Sequence, residues 1–347
     1  MLHCAGSLRV RPDDKFLDRA GLLDRVPVLR EQLLPYASAR VAMVGERADE
    51  VLAAMLACQQ LGCELLLLRE SIPHHSDCWR ALSVSAVLGQ DGLVAAPVTQ
   101  PAATDGFCIL IATSGTTGVP KVARHNVGSL IGRIRPPKGP TDGIRWLLTY
   151  HPASFAGIQV LLTAPATGGE LLATTRASVG TFAEVALVRK PTHVSGKPTF
   201  WRGFLLALGA RAGEVPLACA TLGGEAVDQG TLDRIAHAFP GVAIGHIYAA
   251  TEAGALFAVR DGKAGFPADW LESGVDGVTL RIVDGMFEVS SPRARVRGRP
   301  VARSLSTRWP PAISRPRCPW CSGKDSTRRS STAPRSPVSV PWRTSSP

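Results

Sequence analysis

The residues best suited to chemistry lie in one run, Thr113-Ser114-Gly115-Thr116-Thr117-Gly118-Val119-Pro120-Lys121. Thr113, Ser114, Thr116 and Thr117 supply hydroxyl donors, and Lys121 supplies a mobile positive charge. Gly115 and Gly118 let the backbone turn tightly and approach a ligand. Such a run is a cradle for polyphosphate: amides and hydroxyls hold the oxygens while the ammonium neutralises them. The Gly-Lys-Ser/Thr ending of a Walker A loop is absent, so a P-loop kinase or ATPase fits poorly. A solvated Ser/Thr/Gly loop is the plainer alternative. The density of donors directly after an apolar run weighs against it. Three further segments follow apolar runs in the same manner: Tyr150-His151-Pro152-Ala153-Ser154-Phe155-Ala156, Gly223-Gly224-Glu225 and Tyr248-Ala249-Ala250-Thr251-Glu252. Taken singly, Glu252 reads as a surface carboxylate, Tyr248 as a half-buried aromatic and His151 as a packing residue.

The elements that must position these segments are legible from residue 40 onward. Residues 41–45 form a short apolar run. Residues 48–61 carry helical spacing at Val51, Met55, Cys58 and Leu61, and residues 64–68 form another buried run. A buried strand, an amphipathic helix and a second buried strand predict a parallel βαβ unit. The theme recurs with strands at 107–112, 146–149, 192–195, 217–222 and 243–248. It predicts a mostly parallel, layered α/β domain with helices on both sheet faces over about residues 1–275. Residues 277–289 differ, because two alternating segments flank Asp284-Gly285, a hairpin turn signal.

Charge bounds the partners. The chain of 347 residues has a net charge of +11, but 13 of its 39 Lys and Arg lie from Pro292 onward, against one acid, Asp325. Residues 1–291 therefore hold 26 bases and 27 acids, a net charge of −1. A body so balanced has no electrostatic footprint for DNA or RNA. The longest apolar stretches are far short of a membrane span, and no secretory leader pattern opens the chain. The expected location is cytoplasmic. Most of the eight cysteines (4, 58, 63, 78, 108, 219, 318 and 321) sit among apolar residues, as small core side chains do. Cys318 and Cys321 have C-x-x-C spacing, without the second pair or His cluster a metal site needs.

The run Thr113–Lys121 matches T-S-G-T-T-G-x-P-K throughout. On it the sequence resembles the AMP-binding, adenylate-forming superfamily of acyl- and aryl-CoA synthetases, peptide-synthetase adenylation domains and luciferases. The other three segments resemble that family's further motifs, with Ala249 in place of the usual Gly of Y-G-x-T-E. The resemblance implies ATP-dependent activation of a carboxylic acid to acyl-AMP with release of pyrophosphate. It implies that residues 113–121 hold ATP phosphates and that Gly223, Gly224 and Glu225 pack against adenine. It further implies that Tyr248 stacks on adenine, Thr251 bonds the α-phosphate and Glu252 holds Mg²⁺. Lys121, Thr251 and Glu252 are then the catalytic set, while His151, Phe155 and Ala156 wall the acid's pocket. Amino-acid-activating relatives carry an aspartate just after the aromatic. Ala156 stands there, so an aryl or fatty acyl carboxylate without a free amino group is expected. The resemblance also implies an acceptor thiol, on coenzyme A or an acyl carrier protein.

The resemblance runs over roughly residues 40–292 and then stops. A ribose-binding T-G-D motif, a hinge and a C-terminal domain with an assisting lysine are not readable. Residues 292–347 are rich in Arg, Ser and Pro, a composition that predicts disorder. A GC-rich gene read one base out of frame gives such a composition, and residues 331–337 are compatible with codons that, shifted, spell a plausible family continuation. The expected organisation is an adenylation domain over 1–291 and a basic tail, read as a frameshift product, over 292–347. Such a chain is expected to bind ATP, turn over slowly and fail at thioester formation. Two other readings stay open: a non-catalytic nucleotide-binding remnant, and a nucleic-acid binder using the basic tail.

Overall fold

Strict alternation builds the first sheet. Val41, Met43, Leu65, Leu67, Ile109 and Ile111 face one buried cluster, while Ala42, Leu66, Leu68, Cys108 and Leu110 face another. Strands covered on both faces read as unbroken apolar runs, and this is why they stand out in the sequence. The computed structural model describes residues 10–11, 19–70, 78–89, 92–96, 104–113, 121–134, 141–174, 178–283, 286–291, 307–309 and 314–315.

The chain begins with the short strand β1 (Val10–Arg11) and helix α1 (Arg19–Leu33). The first sheet follows, from β2 (Arg40–Val44), α2 (Ala48–Leu61), β3 (Glu64–Leu68), α3 (Cys78–Ala81), β4 (Ala86–Gly89) and β5 (Gly92–Ala95) to β6 (Cys108–Thr113) and β7 (Lys121–His125). Its order is β5-β4-β2-β3-β6-β7. Strands β4, β2, β3 and β6 run parallel, and β5 and β7 close the edges antiparallel. Helix α4 (Val127–Ile131) leads to β8 (Arg145–Leu148), α5 (Phe155–Ala166), β9 (Glu170–Leu172), α6 (Val179–Arg189), β10 (His193–Gly196) and α7 (Pro198–Leu208). Then come β11 (Cys219–Gly223), α8 (Gln229–Ala238), β12 (Ala243–Ala250) and β13 (Gly254–Val259). The second sheet has the order β1-β9-β8-β10-β11-β12-β13, parallel throughout except for the last pair.

The two sheets share a middle layer. Leu22 and Val26 of α1, Val51 and Met55 of α2, and Ile158 and Leu162 of α5 are buried together with Val41, Leu65 and Leu171. Nine of the fourteen α2 residues are buried, which explains why its apolar positions exceed a single stripe. Pro27 sits inside α1 and forfeits a backbone hydrogen bond; Leu22, Val26 and Leu33 pack on either side of it and hold the helix in the core. Helices α6, α7 and α8 cover the outer face of the second sheet through Phe182, Trp201, Phe204 and Ile235. Each such large apolar side chain contributes about 1.5–3 kcal/mol when fully buried.

A smaller unit follows: β14 (Phe266–Pro267), α9 (Trp270–Ser273), β15 (Thr279–Val283) and β16 (Met286–Ser290). β15 and β16 are antiparallel and pair up to Val283 opposite Met286, as the hairpin reading requires; Asp284 and Gly285 lie outside the described residues. Two short strands in the basic segment were not expected from composition. β17 (Thr307–Trp309) adds to β16, and β18 (Ser314–Arg315) pairs with β14. Backbone pairing asks little of side-chain pattern over two or three residues, so no periodicity announced them. Cys4, Cys318 and Cys321 lie outside the described residues, and Cys58, Cys63, Cys78, Cys108 and Cys219 are free thiols. Among the described residues no helix is long and apolar enough to cross a membrane.

Candidate functional site

The parallel strands carry the predicted segments to the same kind of place, the carboxyl ends of the strands, where open α/β sheets bind ligands. Thr113 ends β6 and stands opposite Lys121, the first residue of β7. Residues 114–120 therefore connect two antiparallel neighbours. A Walker A loop runs from strand into helix, so the topology agrees with the missing Gly-Lys-Ser/Thr ending. Ser114, Gly115, Thr116, Thr117 and Gly118 themselves lie outside the described residues.

Tyr150 and His151 follow β8, Gly223 ends β11, and Tyr248 to Ala250 end β12. Contacts tie these segments together. The Tyr150 hydroxyl donates to the Gly223 carbonyl at 3.3 Å, and a side chain on Gly223 would meet the Ile247 carbonyl at 3.3 Å. Gly224 adopts a φ of +84°, which favours glycine. Thr251, Glu252 and Ala253 form the turn between β12 and β13, closed by Ala253 N–H donating to the Ala250 carbonyl at 3.2 Å. His125, at the end of β7, reaches this turn: its Nε2 lies 2.6 Å from the Thr251 carbonyl oxygen. The His125 ring also packs on Phe155, centroids 5.4 Å apart, and Phe155 borders Gly254. Segments from both sheets thus meet at one place.

The individual side chains divide by task. Tyr248 is half-buried and stacks on Phe257 at 4.4 Å and 18°, so its cross-strand neighbour fixes the ring plane. Glu225 accepts from the Thr199 backbone N–H at 3.0 Å and from the Thr199 hydroxyl, with Lys197 Nζ 3.7 Å away. Its carboxylate is committed to the start of α7. Glu252 is half-buried, and its carboxylate has no hydrogen-bond or ion-pair partner among the described residues.

A cavity of about 510 Å³ opens beside this place, lined by Arg47, Arg69, Tyr150, His151, Ser154 and Lys197 among others. Arg47, Ser154 and Lys197 are the N-caps of α2, α5 and α7, so three helix N-termini abut it with their partial positive charge. Ser154 earns its position: its hydroxyl oxygen accepts from Gly157 N–H at 3.0 Å and donates to the His151 carbonyl at 2.7 Å. Burial, and then the nearby Arg69 charge, hold the His151 imidazole below its ordinary pKa, against opposing pulls from Glu46 and Glu70. Burial likewise raises the Tyr150 hydroxyl above its ordinary value, which keeps it a donor. Of the predicted pocket residues His151 lines the cavity. Phe155 and Ala156 are not among its lining residues, and Phe155, 8% exposed, faces His125 instead.

Sequence reasoning did not single out His125, Arg47, Arg69 or Lys197. An alternating burial along β7 marks His125 as inward-facing, but its partner is 126 positions away and no local pattern points to it.

The fold has counterparts among solved structures. In structure the chain is similar to o-succinylbenzoate CoA synthetase (MenE) from Bacillus subtilis, solved with its acyl-adenylate intermediate: 17% identity, TM-score 0.65, covering 87% of this chain and 70% of that one. It is similar to a putative long-chain-fatty-acid CoA ligase from Rhodopseudomonas palustris, with 15% identity, TM-score 0.63, and 86% and 87% of the two chains covered. The nonribosomal peptide synthetase FmoA3 in its AMPPNP-bound form gives 18% identity, TM-score 0.66, and 86% and 37% coverage. No curated protein sequence matches the chain. A family model described as AMP-binding enzyme matches residues 69–293. With the greater part of its length inside that match, the chain belongs to the family of AMP-binding enzymes.

Proposed function

We propose that this protein activates a carboxylic acid with ATP, forming an acyl-AMP and releasing pyrophosphate, with residues 1–291 as the adenylation domain. The observation that carries the reading is the unbroken run Thr113–Lys121 at the carboxyl end of β6, joined through His125 to the turn bearing Thr251 and Glu252. The acid's carboxylate oxygen attacks the α-phosphorus, and the bond to the β-phosphate oxygen breaks. Two anions must approach, so screening by donors and cations is the main requirement. Thr251 would donate to the α-phosphate, Lys121 would neutralise phosphate charge, and the backbone at Gly223 and Gly224, with Tyr248, would flank adenine.

Glu252 fits a magnesium ion. It offers a hard oxygen that no described neighbour engages, and among the described residues no group of three or more His, Cys, Asp or Glu could hold a metal on protein ligands alone. Magnesium is commonly bound through one or two carboxylates plus substrate phosphates, the situation this turn offers. When bound, the ion would be held by Glu252 and would supply positive charge against the phosphate oxygens.

The acid would take the cavity beside Tyr150 and His151, whose Leu148, Pro152, Ala173, Phe182 and Phe200 suit an apolar or aromatic body. The three helix N-termini, with Arg47, Arg69 and Lys197, would favour the ionised carboxyl against Glu46 and Asp49 in the same lining. An aryl or fatty acyl acid is the substrate class we favour. Transfer of the acyl group to the thiol of coenzyme A or of a carrier protein would follow. ATP–pyrophosphate exchange across a panel of benzoate-like acids, fatty acids and amino acids tests the reading. Exchange is expected with one of the first two groups. ATP binding without exchange for any acid would make the chain a non-catalytic nucleotide binder, and exchange only with amino acids would overturn the substrate class.

A further inference from the structure

We propose that His125 is a positioning residue of the nucleotide site: its Nε2–H donates to the Thr251 carbonyl and fixes the turn that presents Thr251 and Glu252. This rests on the adenylating function proposed above, and it adds a residue outside the predicted site set. Four observations carry it. The contact is short, 2.6 Å, and a carbonyl oxygen can only accept, so the ring nitrogen must be protonated. His125 is 5% exposed, so water does not compete for the bond. Its ring packs against Phe155 at 5.4 Å and a 38° tilt, which supports this orientation. Its backbone is anchored on both sides. The strand pairs Ile109 with His125, and the next residue, Asn126, caps α4 by accepting from Ser129 N–H at 2.7 Å.

The geometry gives the bond a task that core packing does not require. Thr251 and Glu252 lie on a turn held locally by the Ala253-to-Ala250 backbone bond. His125 belongs to the first sheet and the turn to the second, so this hydrogen bond sets the turn's place relative to β7. Residues 114–120 enter β7 at its other end, at Lys121. The strand therefore acts as a ruler between the phosphate run and the Thr251–Glu252 turn.

Two variants separate donation from packing. His125→Phe keeps a ring against Phe155 and removes the donor. His125→Gln places an amide N–H where Nε2 stands. The measurements are MgATP affinity by calorimetry, hydrogen exchange of the backbone amides at 251–254 without nucleotide, and thermal stability. We expect His125→Phe to weaken MgATP binding about tenfold, the scale of one lost hydrogen bond at a ligand-bearing turn, and to speed exchange at 251–254. His125→Gln is expected to restore both to within about threefold of the wild type, on the same scale. Unchanged exchange and affinity in His125→Phe overturn the proposal, as does equal loss in both variants. If the wild type does not bind MgATP, the nucleotide reading fails; exchange that still quickens in His125→Phe and not in His125→Gln then leaves the tether standing on its own.

Discussion

Replacing Glu252 by glutamine separates a metal-binding carboxylate from a surface one. The substitution keeps shape and removes charge. Because no described residue bonds or pairs with the Glu252 carboxylate, the fold should hardly notice: the expected change in unfolding free energy is within about 0.5 kcal/mol, as for surface positions without such partners. The cost should appear only when a cation and phosphates are present. A charge-assisted contact is worth about 1.5–3 kcal/mol, so MgATP affinity should fall roughly 10- to 100-fold, while binding of metal-free ATP stays near the wild-type value. An internal reporter is available. Burial holds the His125 pKa below the ordinary histidine value, and the Thr251 carbonyl and the Glu252 charge oppose that shift. Removing the charge should lower the His125 pKa further, as followed by NMR titration. Titration calorimetry with and without magnesium, run beside thermal unfolding, is the assay. Equal weakening of metal-free and metal-bound ATP would show that the turn had moved, and unchanged MgATP affinity would remove Glu252 from the metal's ligands.

Other perturbations test the frame that holds the site. Glu64 is buried between Arg40, whose Nε lies 2.8 Å from it, and Arg124 at 3.1 Å; Glu64→Leu leaves Arg40 buried and unpaired and should destabilise the fold by about 3–5 kcal/mol in urea. Burial alone would raise the Glu64 pKa, but hydrogen bonds and charge from Arg40, then Arg124, bring it below the ordinary value. Its folded pKa is thus the lower one, so the stabilisation is complete above the unfolded carboxylate pKa and is lost as pH falls through the folded value. A wild-type stability that stays flat across that acid window relative to Glu64→Leu would contradict this. At Gly157 an added Cβ would meet the His151 carbonyl oxygen at 2.0 Å, so Gly157→Ala should cost about 1–3 kcal/mol and shift the His151 wall of the cavity. A normal melting temperature together with unchanged exchange activity would show that the loop yields freely.

The layered α/β frame was legible in the sequence because burial on both faces leaves no ambiguity. Strand β3 and helix α2 fall at the expected residues 64–68 and 48–61, since each has only one environment that accepts its residue types. Strand ends elsewhere shift by one to two residues, where the ladder rather than the side-chain pattern decides where pairing stops. The β1 pairing with β9 and the two strands beyond residue 300 were not legible, because two or three residues hold no period to read.

The site shows the same division at a finer scale. Motif order singled out Gly223, Tyr248 and Thr251, and each lies near or just past the carboxyl end of its strand, because a strand's end is fixed once the strand is known. Motif order did not say what each side chain does there. Glu225 is spent on the start of α7, and Phe155 on His125, because local needs such as an unsatisfied helix N–H or an uncovered ring are met first by whatever lies adjacent. The residues that join the motifs were silent for the opposite reason. His125 bonds to Thr251 across two sheets, Tyr150 bonds to Gly223 across the second sheet, and each partner is a backbone carbonyl. Such a bond leaves no trace in the identity of the acceptor residue. A motif can therefore specify which loops meet, while the side chains that hold them together are visible only once both loops are in place. This predicts where engineering of the site will be least forgiving: at His125 and Tyr150, whose acceptors cannot be altered by any compensating substitution of Thr251 or Gly223.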